Sequence, residues 1–177
     1  MRHKKSLPII HLIGLPGAGK TTLSKQLSKK LGIPVFYIGT YRACQPQTAI
    51  GEADAWVSLF RVLSCRGWKN CILETTGLNS REEFLRKALP FGQMITIKLE
   101  ASCKTLHKRI RLKRMSEQGG DWLFSEELPD KFAFVDRLYK KFGLIPADIT
   151  IDTERRTKAQ VFCLALKEIL GADALPD

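Results

Sequence analysis

The sequence predicts an α/β fold of three layers, a five-stranded parallel sheet with helices on both faces. Two observations lead there. Short apolar runs at residues 8–15, 35–38, 70–74, 94–99 and 148–152 have the length and composition of strands buried on both sides. Between them, apolar residues recur at helical spacing, and parallel strands need crossovers of this kind, which are right-handed. The composition agrees: 44% hydrophobic and 27% charged residues in 177 suit a folded chain with its own core, so one domain over 1–177 is expected.

Each element has a local reason. PIIHLIGL (8–15) is the first strand, in which His11 reads as a satisfied core histidine. From Thr21, Leu23, Leu27 and Leu31 make a helical stripe, which Gly32 and Ile33-Pro34 stop. VFYI (35–38) is the second strand. Ala53, Trp56, Val57, Phe60 and Leu63 mark a helix over 52–66, and NCILE (70–74) is a third strand ending on a carboxylate. Ser80 with Glu83 forms a capping box for a helix through Leu89. MITIKL (94–99) is the fourth strand, followed by a helix capped by Ser102 that buries Cys103, Leu106 and Ile110. Residues 115–130 lose periodicity around Gly119-Gly120 and read as a mobile connection. Asp130 caps a helix closed by Gly143, DITID (148–152) is the fifth strand, and Thr157 with Gln160 caps the last helix, to Leu170.

Charge and cysteine content narrow the function. Lys and Arg outnumber Asp and Glu 29 to 18, a formal charge of +11, which favours an anionic partner: nucleotide, nucleic acid or an acidic membrane surface. Five dispersed cysteines without a C-x-x-C pair read as reduced thiols of a cytoplasmic protein. The basic start followed by an apolar run imitates a signal peptide, but Pro8 and His11 interrupt it, and no segment reaches the ~18 apolar residues of a membrane helix.

The strongest chemical signal is Gly14-Leu15-Pro16-Gly17-Ala18-Gly19-Lys20-Thr21, which fits G-x-x-x-x-G-K-[ST] between a strand and a helix. Glycines let backbone N–H groups converge on an anion, and the helix directs its positive end to the same point. Gly14, Pro16, Gly17, Ala18, Gly19, Lys20, Thr21 and Thr22 are therefore the expected residues for a nucleoside triphosphate, with Lys20 on the β- and γ-phosphates and Thr21 on Mg²⁺. Glu74, at the end of the third strand, is placed to orient the metal shell or to accept a proton, with Thr75, Thr76 and Gly77 following.

A triphosphate site alone does not separate switch, motor and kinase. No N-K-x-D segment announces guanine, and motor cores generally run longer. Gly39-Thr40-Tyr41-Arg42 follows the second strand, at the edge where open α/β sheets bind ligands, so Arg42 is a candidate to fork an anionic acceptor, with Thr40, Thr76 and Gly77 around it. KTLHKRIRLKR (104–114) holds six basic residues and no acid, and Gly119-Gly120 follow. This reads as a small basic lid over about 104–130 that matches charge developing on the transferred group, and Trp122 and Phe124 read as packing on closure.

These motifs resemble the small P-loop kinases of the adenylate kinase and shikimate kinase kind, including the polynucleotide kinase and zeta-toxin branch. GLPGAGKTT with VFYIGTYR is also similar to the kinase domain of 6-phosphofructo-2-kinase. The resemblance implies the P-loop NTPase fold with strand order 2-3-1-4-5, ATP as donor and Mg²⁺. It also implies that Arg109 and Arg114 are lid arginines and that the loop after ADITIDT (147–153) packs on adenine. Asp152 reads equally as a strand-end residue. Many sugar and shikimate-type kinases carry Asp after strand two, where Thr40 stands here. Glu74 is then the remaining base, unless the acceptor is an anion that needs none. The expected activity is transfer of the γ-phosphoryl group to a small, anionic acceptor such as a nucleotide or sugar phosphate, or to a nucleoside. The alternatives are a polynucleotide 5′-hydroxyl kinase and a nucleotide-dependent switch or assembly factor. The sequence leaves acceptor, ATP against GTP, and oligomeric state open.

Overall fold

The computed structural model describes residues 6–78, 81, 82, 85, 89, 90, 92–116 and 131–171. Its elements are β1 (Ile9–Gly14), α1 (Lys20–Leu31), β2 (Val35–Tyr37), α2 (Ile38–Ala43), α3 (Ala49–Cys65), β3 (Cys71–Thr75), β4 (Met94–Glu100), α4 (Cys103–Ser116), α5 (Lys131–Gly143), β5 (Ile149–Asp152) and α6 (Lys158–Leu170). The five strands form one sheet of order β2-β3-β1-β4-β5, every pair parallel. The expected architecture and order are thus observed.

β1 is central and buried throughout, which explains its unbroken apolar run. Successive side chains face opposite layers. Ile10 and Leu12 pack with Leu23 and Leu27 of α1 and Ala165 and Leu166 of α6, whereas Ile9 joins Trp56, Leu59 and Leu63 of α3 on the other face. His11 is fully buried, its Nε2 2.9 Å from Thr75 Oγ1, so it is the core histidine expected.

The helix ends follow their chemistry. α1 stops at Gly32, whose φ of 67° is the left-handed C-cap. α6 starts with the full Thr157–Gln160 capping box. The buried Lys98 of β4 donates to the carbonyls of Gly143 and Ile145 at 3.0 and 3.2 Å, fastening the end of α5 to the sheet where a cation is favoured.

One element differs from expectation. Ile38 opens a short helix rather than ending β2, so Arg42, expected just after the strand, lies on α2. Ile38 drops into the α3-side core, and burying it turns the chain before a fourth strand residue can pair. The Ser80–Glu83 capping box, Asp130, Trp122, Phe124 and the lid positions 117–130 lie outside the described residues. No described helix is long and apolar enough to cross a membrane.

Candidate active site

Because all strands are parallel, their carboxyl ends gather at one edge, and the candidate residues with them. β1 releases the loop Gly14–Gly19. Gly17 and Gly19 have φ of 82° and 98°, left-handed conformations that only glycine adopts without strain, and a Cβ on Gly17 would meet the Leu106 carbonyl at 2.9 Å. The loop therefore curls tightly and delivers the chain into α1, which has neither a side-chain cap on its first amides nor an acidic residue in its first turn. Lys20 arcs back over the loop, its Nζ 2.8 Å from the Gly14 carbonyl and 3.3 Å from that of Leu15. Uncapped amides, a helix dipole and an ammonium at one point are an anion-binding nest. Pro16 and Ala18 are buried in the loop wall, and Thr22 is exposed.

Glu74 comes from β3, paired to Leu12 on one side and Tyr37 on the other. Its carboxylate is largely buried and accepts from Thr21 Oγ1 at 2.9 Å and from Ser24 Oγ at 3.0 Å. Thr21 and Glu74 are thus brought together as expected. A hydroxyl and a carboxylate at the mouth of an anion nest are the hard oxygen donors that Mg²⁺ takes, so these residues fit the ion. Ser24 was missed. Its signal was its place one turn after Thr21 on the same helix.

The next residue, Thr75, points to the other face of the sheet. Its hydroxyl donates to Glu82 Oε2 at 2.6 Å and receives the Gly77 amide at 3.2 Å, which ties down the turn after β3. Thr75 has one proton, so His11 donates to it through Nε2. Thr76, a candidate for acceptor contact, is half-buried at the start of this turn, and Gly77 lies against Ile13.

Arg42, the candidate for the acceptor, is buried and forked onto Glu52, Nε to Oε2 and Nη2 to Oε1, both at 2.7 Å. Trp56 Nε1 donates to the same carboxylate at 2.8 Å. Burial pushes the Glu52 carboxyl up, but the hydrogen bonds from Arg42 and Trp56 and the charges of Arg42 and Arg81 outweigh it and hold the group below its ordinary value. Glu52 and the polar use of Trp56 were not legible in the sequence. They lie on α3, and only the fold brings them to Arg42. Thr40 is exposed on α2.

Arg109, expected in a lid, is docked against the loop. It donates to the Gly17 carbonyl at 3.3 Å and to Thr153 Oγ1 and O at 2.8 and 2.6 Å, which joins the phosphate nest to the segment after β5. Asp152 caps that segment by accepting from the amides of Glu154 and Arg155. Arg114 lies on α4, and its side chain is outside the described residues. A cavity of about 800 Å³ is lined by Glu100, Asp152, Arg155, Arg156, Gln160 and Leu164 and includes no residue of the phosphate nest.

Neither protein-family models nor curated proteins match this sequence. Solved structures do. Shikimate kinase from Bacteroides thetaiotaomicron superposes with a TM-score of 0.65 at 20% identity, over 93% of this chain and 98% of that one. A gluconokinase from Sinorhizobium meliloti gives 0.66 at 14% identity, over 92% and 91%. APS kinase from Mycobacterium tuberculosis, solved with AMPPNP and APS, gives 0.56 at 14% identity, over 93% and 96%. The fold is that of the small P-loop kinases.

Proposed function

We propose that this chain is a P-loop kinase that transfers the γ-phosphoryl group of ATP to a small, anionic acceptor. The observation that carries the reading is the Gly14–Thr21 nest at the head of an uncapped α1, with Thr21 held by Glu74. Lys20 and the loop amides hold the β- and γ-phosphates and place the terminal phosphoryl group toward the acceptor side. Thr21 and Glu74 would hold Mg²⁺, which when bound neutralises charge on the phosphate oxygens. Both Glu74 oxygens face hydroxyls of α1, which supports a role toward the metal over a role as base.

The acceptor side suits an anion. Arg42 is held in one orientation by Glu52, and Arg81 acts on the same carboxylate, so two cations face one acid. Arg109 orders the loop from the β5 side, which supports its expected role toward charge on the nucleotide. Likeness to enzymes named for shikimate, gluconate and APS supports an acceptor of small-molecule size. Dispersed cysteines without a C-x-x-C pair and the use of ATP support a cytoplasmic location in this reading.

A coupled assay with ATP or GTP and Mg²⁺ across nucleotides, nucleosides, sugar phosphates, hydroxy acids and 5′-hydroxyl oligonucleotides tests it. ADP release that rises at least tenfold with one small anionic acceptor is expected. Turnover indifferent to every acceptor overturns the reading in favour of a switch, and turnover driven only by oligonucleotides, with steep salt dependence, moves it to nucleic-acid ends.

A further inference from the structure

We infer that α4 and α5 carry a zinc-type metal site made by Cys103, His107 and Asp136. Cys103 and His107 are four residues apart and so share one face of α4, and Asp136 approaches from α5. Their donor atoms converge on one point. Sγ of Cys103 lies 3.5 Å from Nε2 of His107, Nε2 lies 3.2 Å from Oδ1 of Asp136, and Sγ lies 2.8 Å from that same Oδ1.

These distances match a coordination shell. Tetrahedral zinc, with bonds of about 2.3 Å to sulfur and about 2.0–2.1 Å to nitrogen and oxygen, spaces its ligands about 3.4–3.6 Å apart. Two of the three edges are already within a few tenths of an ångström of that, and the third opens by under 1 Å through an Asp136 rotamer. The donor set of thiolate, imidazole and carboxylate is the borderline-soft kind that selects zinc over magnesium. Asp136 is exposed, with side-chain accessibility of 56%, which leaves the fourth position open to water. The Phe132 ring, 4.6 Å from the His107 ring, fixes the plane of the imidazole.

A nucleophilic Cys-His-Asp relay is the competing use of these residues, and the geometry opposes it. A relay needs one ring nitrogen facing sulfur and the other facing the carboxylate, whereas here the same Nε2 faces both.

The ion would clip together the two helices that leave and rejoin the segment 117–130. α4 also carries Leu106, whose backbone abuts Gly17, and Arg109, which grips the phosphate loop. Leu106 lies between the two α4 ligands and Arg109 two residues beyond His107, so the ion would fix the register of α4 on α5 beside those contacts. It does not depend on the kinase reading.

The test uses the full chain, reduced, stripped with chelator and titrated with Co²⁺ in the absence of nucleotide. One equivalent should bind with a thiolate-to-cobalt charge-transfer band and tetrahedral visible absorption, both erased by Zn²⁺. Zn²⁺ should also protect Cys103 from alkylation, read by peptide mass mapping, while the exposed Cys44, Cys65 and Cys163 label regardless. C103S should lose the charge-transfer band, and H107A and D136N should weaken binding at least tenfold. D136N alters an exposed position and keeps the test open should C103S misfold. Absence of the thiolate band in the wild-type chain, or a band unchanged in both H107A and D136N, overturns the site.

Discussion

Helices α1 and α3 begin in opposite ways. α1 starts after Gly19 with no side chain on its first amides and no acid in its first turn. α3 starts with Thr48 accepting from the Gly51 amide and with Glu52 in its first turn. One helix leaves its positive end to an outside anion, and the other satisfies it from within the chain. Glu52 then reaches sideways to hold Arg42. The proposed donor side is therefore a backbone device and the proposed acceptor side a side-chain device. Substitutions at the two should fail differently, the first in nucleotide handling and the second in stability.

The largest effect belongs to Lys20. K20A should lower acceptor-dependent turnover by ~10³-fold or more, since in the proposed reaction the Lys20 charge meets oxygens that gain charge. Circular dichroism and the melting temperature should stay at wild-type values, because its bonds to the Gly14 and Leu15 carbonyls lie at a half-buried surface loop. A K20A chain that unfolds, or that turns over normally, breaks the contrast.

Gly17 comes next. An alanine there must adopt a φ of 82° and press its Cβ against the Leu106 carbonyl. G17A should cost about 1–3 kcal/mol of local strain, read as a roughly five- to 150-fold loss in affinity for a magnesium–ATP analogue by calorimetry. Unchanged affinity would mean that the loop is looser than its contacts imply.

The same contrast explains what the sequence made legible. Gly14–Thr21 could be read because its work is done by consecutive backbone amides, and the glycines permitting that conformation, Gly14, Gly17 and Gly19, stand close together in the sequence. The sheet was legible for a similar reason, since double burial leaves continuous apolar runs such as IIHLIG. Arg42 was visible as a charge after a strand, but not its lock, because Glu52 and Trp56 become its neighbours only once α2 and α3 pack. Arg109 was read as part of a basic run, yet its guanidinium goes to Gly17 and Thr153, the latter 44 positions away in sequence. Ser24, Glu82 and Asp136 were missed on the same physical ground: each acquires its role from a partner on another element.

The last effect falls on stability rather than on nucleotide handling, and it sharpens the proposed acceptor side. E52A strips a buried arginine of its fork and should destabilise the chain by about 2–3 kcal/mol in urea unfolding at pH 7. E52Q keeps the shape but not the charge and should cost less. The double change R42A/E52A should cost less than E52A alone, because no guanidinium is then left buried beside an empty partner. The pH profile fixes the cause. The folded Glu52 carboxyl is held below its ordinary 4.5, so its contribution is fully present above that value and is lost as pH falls through the lower folded value. The stability gap between wild type and E52Q should therefore be constant near neutrality and close in acid, below about pH 4.5. A gap that persists in acid would assign the effect to packing against Trp56. A gap absent at neutral pH would mean that Arg42 is not preorganised by Glu52 at all.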